Sequence, residues 1–511
     1  MLKPANLVLA AAALVAIAVG LYGLIKATDG LSVTQTSVGA TPVTIYLPAA
    51  GGPSPVVVIA HGFAGSQQLM QPFAVTLARN GFTAVTFDFL GHGRHPLPLT
   101  GSITEETGAT NALVAQTAEV ATFAKSLSAD GKSIALVGHS MASDIVVRAA
   151  QADPDVRATV AVSMFSPVVT TTSPRNLLVV VGALEPEALK SEARRVVAMV
   201  SDGPLAERRT YGDFAAGTAR RFAFARGVEH VSVLYSRDAL REALAWLDAA
   251  FARPAAASGA FIDARGAWLA LLIFGLIALA QPLSELLPQA SPTPAGAGLE
   301  WGELWPVAVL PAILTPLLLW KAPTNFLPIL VGDYLAAHFA LYGVLTAIGL
   351  WIIRSGQAEA PRVEVYVAPL LLAALAVAGY SIGVLGQALD AYVSNFWPAP
   401  QRLILIAAMF AGTLPYFLAD EWLTRGADAP RGAYAATKIC FLASLAVAVA
   451  LNLEKLFFLI IIVPVILIFF VVYGLFSGWA YRRTNHPFAG AIANALSFAW
   501  ALAVTFPVLA R

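Results

Sequence analysis

Hydrophobic and polar positions follow two different rhythms along this chain. Over residues 31–251, short apolar runs alternate with longer amphipathic stretches. From residue 267 onward, long apolar runs are separated only by brief polar breaks. In the first region, residues 31–47 predict two amphipathic strands with a turn at Gly39, and 56–60 a short buried strand. A helix over 67–80 is broken by Gly81, and a strand follows at 83–89. Next come a long helix over 105–127, a strand at 133–137 and a helix over 141–151. Strands at 158–164 and 176–181 and a helix over 231–251 complete the pattern. Such alternation predicts a mainly parallel sheet covered by helices on both faces.

The second rhythm belongs to lipid. About 20 apolar residues suffice to cross a bilayer, and eight runs in this half have that character: 267–285, 304–320, 327–352, 365–388, 403–422, 434–452, 456–478 and 488–509. The run at 304–320 carries Pro306, Pro311 and Pro316, so a kinked span and a re-entrant segment are both open. A ninth run, Ala5 to Leu24, follows Lys3 without a charge. It exceeds the apolar core of a signal peptide, about 7 to 15 residues, and reads as an uncleaved anchor. The expected organisation is an anchor over 1–29, a globular domain over 30–253 and a transmembrane domain of about eight helices over 254–511. A small-residue connector, Ala252 to Gly259, marks the second boundary.

Composition agrees. Of 511 residues, 58% are hydrophobic and only 12% charged, and the mean hydropathy is +0.71; soluble domains carry about 25% charged residues. The net charge is +1 with no basic stripe, which argues against nucleic acid as a partner. The single cysteine, Cys440, excludes a disulfide framework and a cysteine-based metal site.

Loop charges suggest an orientation. With the N-terminus inside, the inner side receives Arg354, Arg362, Arg425, Arg431, Lys438, Arg482 and Arg483. The outer side receives Lys321, Arg402 and Lys455, while Lys26 and Arg265 blur the bias. The globular domain is then expected outside the cytoplasm.

The chemistry centres on Gly138-His139-Ser140-Met141-Ala142, between a buried strand and a helix. A serine on so tight a turn is pushed out above the sheet, at a helix N-terminus that favours developing negative charge. The final position is Ala142 where glycine is usual. Two earlier strands end in His61-Gly62-Phe63 and in Asp88-Phe89-Leu90-Gly91-His92-Gly93-Arg94. Together these features resemble the α/β-hydrolase superfamily, with a flavour similar to serine esterases and dienelactone-hydrolase-like members, over about residues 31–252. The membrane half resembles no family.

The resemblance implies an α/β-hydrolase fold and a chain order of nucleophile, acid, histidine. Ser140 would be the nucleophile, and Phe63 and Met141 the backbone N–H donors to the oxyanion. Glu185, three residues past Gly182 at the end of a strand, would be the acid, with Glu187, Asp213 and Glu229 as rivals. His230, on the Gly227-Val228-Glu229-His230 loop, would be the base. His61, His92, His95 and His139 all precede Ser140, so that order excludes them; His61 and His92 read as loop-shaping residues. The loop 166–175 is too short for a cap, which predicts an open site. No cofactor and no metal is expected.

The chemistry implied is hydrolysis of a small-molecule or lipid-like carboxylic ester through an acyl-enzyme, in contact with membrane lipid. Thioester or amide cleavage and acyl transfer use the same machinery. A transporter or sensor that binds ligand on a hydrolase-like domain is the alternative from another class. Within the apolar half, three polar clusters stand out: Asp333, Tyr334 and His338; Asp390 and Asn395; Asp420 and Glu421. Such groups are costly in a bilayer and are often functional.

Overall fold

A computed structural model describes residues 3–48, 51–52, 54–102, 105, 108–254, 259–355 and 363–510. The connector's Ala255 to Ser258 and the loop charge Arg362 lie outside the described residues. The chain divides into two compact units. One comprises Met1–Ile17, Ile273–Ala388 and Phe396–Phe506, and is helical. The other comprises Ala18–Leu272, Leu389–Asn395 and Pro507–Arg511, and contains the sheet.

The sheet unit begins in the second half of α1 (Pro4–Ala27) and ends its first segment in the opening turns of α7 (Arg265–Ser284). Between them run β1 (Ser32–Val38), β2 (Thr41–Leu47), β3 (Val56–Ala60), α2 (Gln71–Arg79), β4 (Thr83–Phe87), α3 (Ala109–Lys125), β5 (Ile134–His139) and α4 (Met141–Ala152). Then follow β6 (Val156–Val162), β7 (Leu177–Gly182), α5 (Glu187–Ala198), β8 (Arg220–Ala225) and α6 (Arg237–Ala250). The strand order is β1-β2-β4-β3-β5-β6-β7-β8. β1 and β2 pair antiparallel, β2 meets β4 antiparallel, and all later pairs are parallel. This is the α/β-hydrolase fold. β3 is buried at every position, as a strand covered on both faces must be.

The sequence pattern predicts most of these elements within a few residues. It leaves out α5 and β8. α5 is strongly charged and buries only Glu192, Ala193, Val196 and Val197, while β8 opens with two arginines that hide its strand character. The helix expected over 231–251 is two elements: a 3-10 turn at Ser232–Tyr235, then α6 capped by Ser236, whose hydroxyl accepts from the Ala239 N–H.

In the helical unit, α7 is followed by α8 (Trp301–Leu319), α9 (Gly332–Ser355), α10 (Val367–Ala378) and α11 (Gly386–Tyr392), the last two joined by a π-helical stretch at Gly379–Leu385. Then come α12 (Leu403–Leu423), α13 (Ala433–Leu451), α14 (Leu453–Thr484) and α15 (Pro487–Thr505). With α10–α11 taken as one span, nine helices among the described residues are long and apolar enough to cross a membrane. The proline-rich run forms one continuous helix, α8. Aromatic rings of α9, α12, α13, α14 and α15 stack at the centre, with Phe339–Phe441 and Tyr416–Phe441 centroids each 4.6 Å apart and Phe417–Phe498 at 4.9 Å.

Two buried carboxylates of this unit, Asp420 and Glu421, are paired, which offsets the cost of a low-dielectric interior. Asp420 pairs with Lys438. Glu421 accepts from Arg425 at 3.1 Å and from the Ser477 hydroxyl at 2.6 Å. Lys438 is therefore a residue inside α13, and it drops out of the loop charges. His338 is also satisfied: its Nε2 lies 3.1 Å from Ser444 Oγ. Asp390 and Asn395 belong instead to the sheet unit.

Candidate active site

The site grows from the junction of β5 and α4, where Ser140 alone separates strand from helix. Its backbone takes φ 54° and ψ −119°, a conformation L-residues rarely adopt. The turn is tight enough that a Cβ on Gly138 would lie 2.4 Å from the Ala142 carbonyl oxygen, so only glycine fits there. Ala142 stands where glycine is usual. Its methyl is buried in the apolar cluster that holds Ala60, Leu136 and Val146.

Ser140 Oγ lies 2.8 Å from His230 Nε2, and His230 Nδ1 lies 2.6 Å from Glu185 Oε2. The carboxylate can only accept, so Nδ1 carries the proton and Nε2 faces the serine hydroxyl as acceptor. Ser140 is half-buried and the His230 side chain is 29% exposed, so the reacting atoms are reachable from solvent. No helix interrupts the connection from β6 to β7 among the described residues.

Glu185 is held firmly. Glu185 follows β7 on a turn closed by its own N–H to the Gly182 carbonyl, 3.0 Å. Its Oε1 accepts from Ser163 Oγ and from Gly182 N, each at 2.7 Å. Burial alone would raise its pKa. The bonds from His230, Ser163 and Gly182 outweigh that and hold the carboxyl below its ordinary value. The histidine loop is tied to the acid loop by Leu184 N to Val228 O, 3.0 Å. The rival acids are engaged elsewhere. Glu187 is exposed and pairs with Lys190 and Arg194. Asp213 accepts from Ala216 N, and Glu229 from Val231 N and Ser232 N.

The loop after β3 abuts Ser140: a Cβ on Gly62 would lie 3.1 Å from Ser140 Cβ. Phe63 follows directly, and Met141 is the first residue of α4, where backbone N–H groups lack intrahelical partners. His61 is fully buried and shapes this loop. Its Nε2 accepts from Phe89 N at 3.1 Å, so its Nδ1 carries the proton and donates to Gly62 O at 2.8 Å. Burial lowers its pKa and keeps it neutral.

Two residues of the site escape sequence reasoning. Ser163 sits one residue past β6 with φ 56° and secures Glu185; nothing in its neighbourhood signals that. His139 is excluded as a base by chain order, yet it lies against His230. Its Nε2 donates to the His230 carbonyl at 2.8 Å, and the rings stand 5.0 Å apart. Burial and the neighbouring His230 push its pKa down to about 3.

Residues 51–207 match the family model described as serine aminopeptidase, S33. Similar solved structures include a dienelactone hydrolase from Anabaena variabilis, 16% identical over 40% of this chain and 91% of that one, TM-score 0.29. A protein described as a predicted CIB-like hydrolase from Thermoplasma acidophilum is 15% identical over 40% and 90%, TM-score 0.31. No curated protein matches the chain. The strand order gives the sheet unit the α/β-hydrolase fold, and the match over residues 51–207 supports a hydrolytic activity. The membrane half matches no family model.

Proposed function

We propose that this protein is a membrane-bound serine hydrolase that cleaves carboxylic esters, lipid-derived esters among them, through Ser140, His230 and Glu185. The observation that carries the reading is the unbroken relay from Ser140 Oγ to His230 Nε2 and from His230 Nδ1 to Glu185 Oε2, at 2.8 and 2.6 Å. Ser140 Oγ attacks the acyl carbonyl while His230 Nε2 takes its proton. Glu185 stabilises the imidazolium, and the Phe63 and Met141 N–H groups hold the oxyanion. Collapse expels the alkoxide, which receives the proton from His230. Water, deprotonated by the same nitrogen, then releases the acid and restores Ser140.

The exposed neighbours in sequence of the site residues favour an apolar substrate. Phe165, Leu184 and Val231 are 64%, 68% and 43% exposed. Leu184 adjoins Glu185, Val231 adjoins His230, and Phe165 lies two residues past Ser163. Exposed apolar side chains next to such residues suit the chain of an ester better than water. The family name favours a second reading, amide cleavage by an aminopeptidase. That chemistry needs an acid to hold a substrate amine, and Glu229, the acid beside His230, already accepts from two backbone N–H groups.

The proposed organisation is an N-terminal anchor over 1–29, the hydrolase domain over 30–253 and a membrane domain over 254–511, with the hydrolase domain outside the cytoplasm. Helix parity supports complete crossings. The hydrolase domain follows the first span, Leu389–Asn395 lies at the end of the fifth and Pro507–Arg511 follows the ninth, and all belong to one compact unit. Nine complete crossings put all three on one face. With the N-terminus inside, the described charges on the inner side are Arg425 and Arg431 in a loop and Arg354, Arg482 and Arg483 in the last turns of α9 and α14.

The test is labelling of the full-length protein in detergent with a fluorophosphonate, beside hydrolysis of p-nitrophenyl esters of rising chain length. The reading expects modification at Ser140 and loss of both signals in Ser140→Ala. A folded wild-type protein that is not labelled refutes it.

A further inference from the structure

The loop that carries Phe63 is held from two sides, and only one of them belongs to the usual hydrolase sequence. On the inner side stands Asp88, a fully buried carboxylate at the end of β4. Its Oδ1 accepts from Gln67 N at 2.8 Å, and its Oδ2 from Arg94 N at 3.0 Å and Gln67 Nε2 at 3.2 Å. Asp88 therefore locks the end of the oxyanion loop to the loop after β4, and His61 adds a second tie through Phe89 N.

On the other side stands a segment some three hundred residues further along the chain, Leu389–Asn395. The Asn395 N–H donates to Ser66 Oγ at 2.9 Å, and its side-chain Nδ2 donates to Gly93 O at 3.3 Å. Ser394 Oγ lies 3.2 Å from the same Ser66 hydroxyl. Asp390 pairs with Arg94 at 2.5 Å, and Ala391 O accepts from Gln71 Nε2 at 3.0 Å. Ser66, Asn395 and Asp390 are 0%, 2% and 6% exposed, so the two Asn395 bonds form out of water, where geometry is held most tightly. The C-terminal tail grips the same second loop further on: Val508 N donates to Gly91 O at 2.9 Å, and Leu99 N to Val508 O at 2.8 Å.

We infer that Leu389–Asn395 is a positioning element of the oxyanion hole, with Asn395 and Asp390 as its positioning residues. It bridges the loops after β3 and β4 from outside, as Asp88 does from inside, and so fixes where the Phe63 N–H points. An oxyanion donor acts only when it is aimed in advance at the place where charge develops. A segment at the end of the fifth membrane span thus completes the catalytic apparatus. The inference rests on the serine-hydrolase reading of the site.

The experiment uses the full chain in detergent, with p-nitrophenyl butyrate as substrate and a fluorophosphonate as active-site probe. The variants are Asn395→Ala, Arg94→Asp, Asp390→Arg and the Arg94→Asp/Asp390→Arg double exchange. Each single variant is expected to lose roughly ten- to hundred-fold in kcat and in phosphonylation rate, with KM held within about twofold, since a displaced donor weakens only the transition state. Ser140 still labels to completion given time, and the double exchange recovers most of the loss. A lowered thermal midpoint with unchanged kcat overturns the inference, as does a rise in KM alone or a double exchange no better than the singles. If Asn395→Ala does not fold, the charge exchange decides by itself, because Arg94 is 37% exposed at its side chain. Wild-type protein that never labels sinks the hydrolase reading; wild-type labelling with unaffected variants sinks only this inference.

Discussion

Replacing Glu185 with glutamine tests the site at its most constrained point. The substitution keeps size and shape, and the surroundings dictate which way the amide turns. Gly182 N and Ser163 Oγ both donate to Oε1, at 2.7 Å each. The Gly182 N–H is part of the backbone and cannot become an acceptor, so the amide oxygen must take the Oε1 position. The NH2 group is then left at Oε2, 2.6 Å from His230 Nδ1. Two donors cannot face each other, so His230 changes tautomer and presents Nε2–H to Ser140. The general base is lost although every atom stays close to its place. Replacing a triad acid by its amide costs about 10⁴ in kcat, or about 5 kcal/mol of barrier. The assay is steady-state hydrolysis of p-nitrophenyl butyrate by Glu185→Gln, with thermal unfolding to show that the fold survives. Activity within about tenfold of wild type, where the template loss is ~10⁴, would refute both the tautomer argument and Glu185 as the acid.

Other outcomes follow from the same geometry. Ser163→Ala removes a hydrogen bond to a buried carboxylate, worth about 1.5–3 kcal/mol, so kcat/KM should fall about tenfold. The Glu185 pKa should rise. Because the folded-state value is depressed, the stabilisation exists above the ordinary carboxyl value and fades below it, so wild type and variant should converge in thermal midpoint as pH falls. Gly138→Ala would press a methyl into the Ala142 carbonyl; expression as folded protein with full fluorophosphonate labelling would contradict the tight turn. His139 and His61 are held neutral by burial, with folded pKa values below the ordinary 6.5. Below that value the unfolded chain takes up protons that the folded chain refuses. Stability should therefore decline as pH falls below about 6.5, and for His139, whose folded value is about 3, by about 1.4 kcal/mol per pH unit down to that value. His139→Gln, whose amide can still donate to the His230 carbonyl, should remove one share of that slope in melts recorded across pH; an unchanged slope would exclude His139 as a contributor.

Much of this protein is local, and what is local can be read along the chain. The period of apolar residues follows from which side of each element meets lipid or core, so the membrane helices and most sheet elements are legible there. The Gly138-to-Ala142 turn is legible because a strand, one serine and a helix must be contiguous. The positions of Glu185 and His230 come from chain order alone, and their convergence on Ser140 required β7 and β8 to lie side by side. α5 and β8 were hidden because their polar faces mask the pattern. What only the tertiary structure decided are contacts between residues far apart in sequence. Ser163 behind Glu185, His139 beneath His230 and Asp390 with Asn395 behind the oxyanion loop leave no local trace. Asp390 and Asn395 look like polar residues ending a membrane span. They became part of the hydrolase unit because a buried carboxylate and a buried amide must find partners, and Arg94, Ser66 and Gly93 are the ones the fold brings to them.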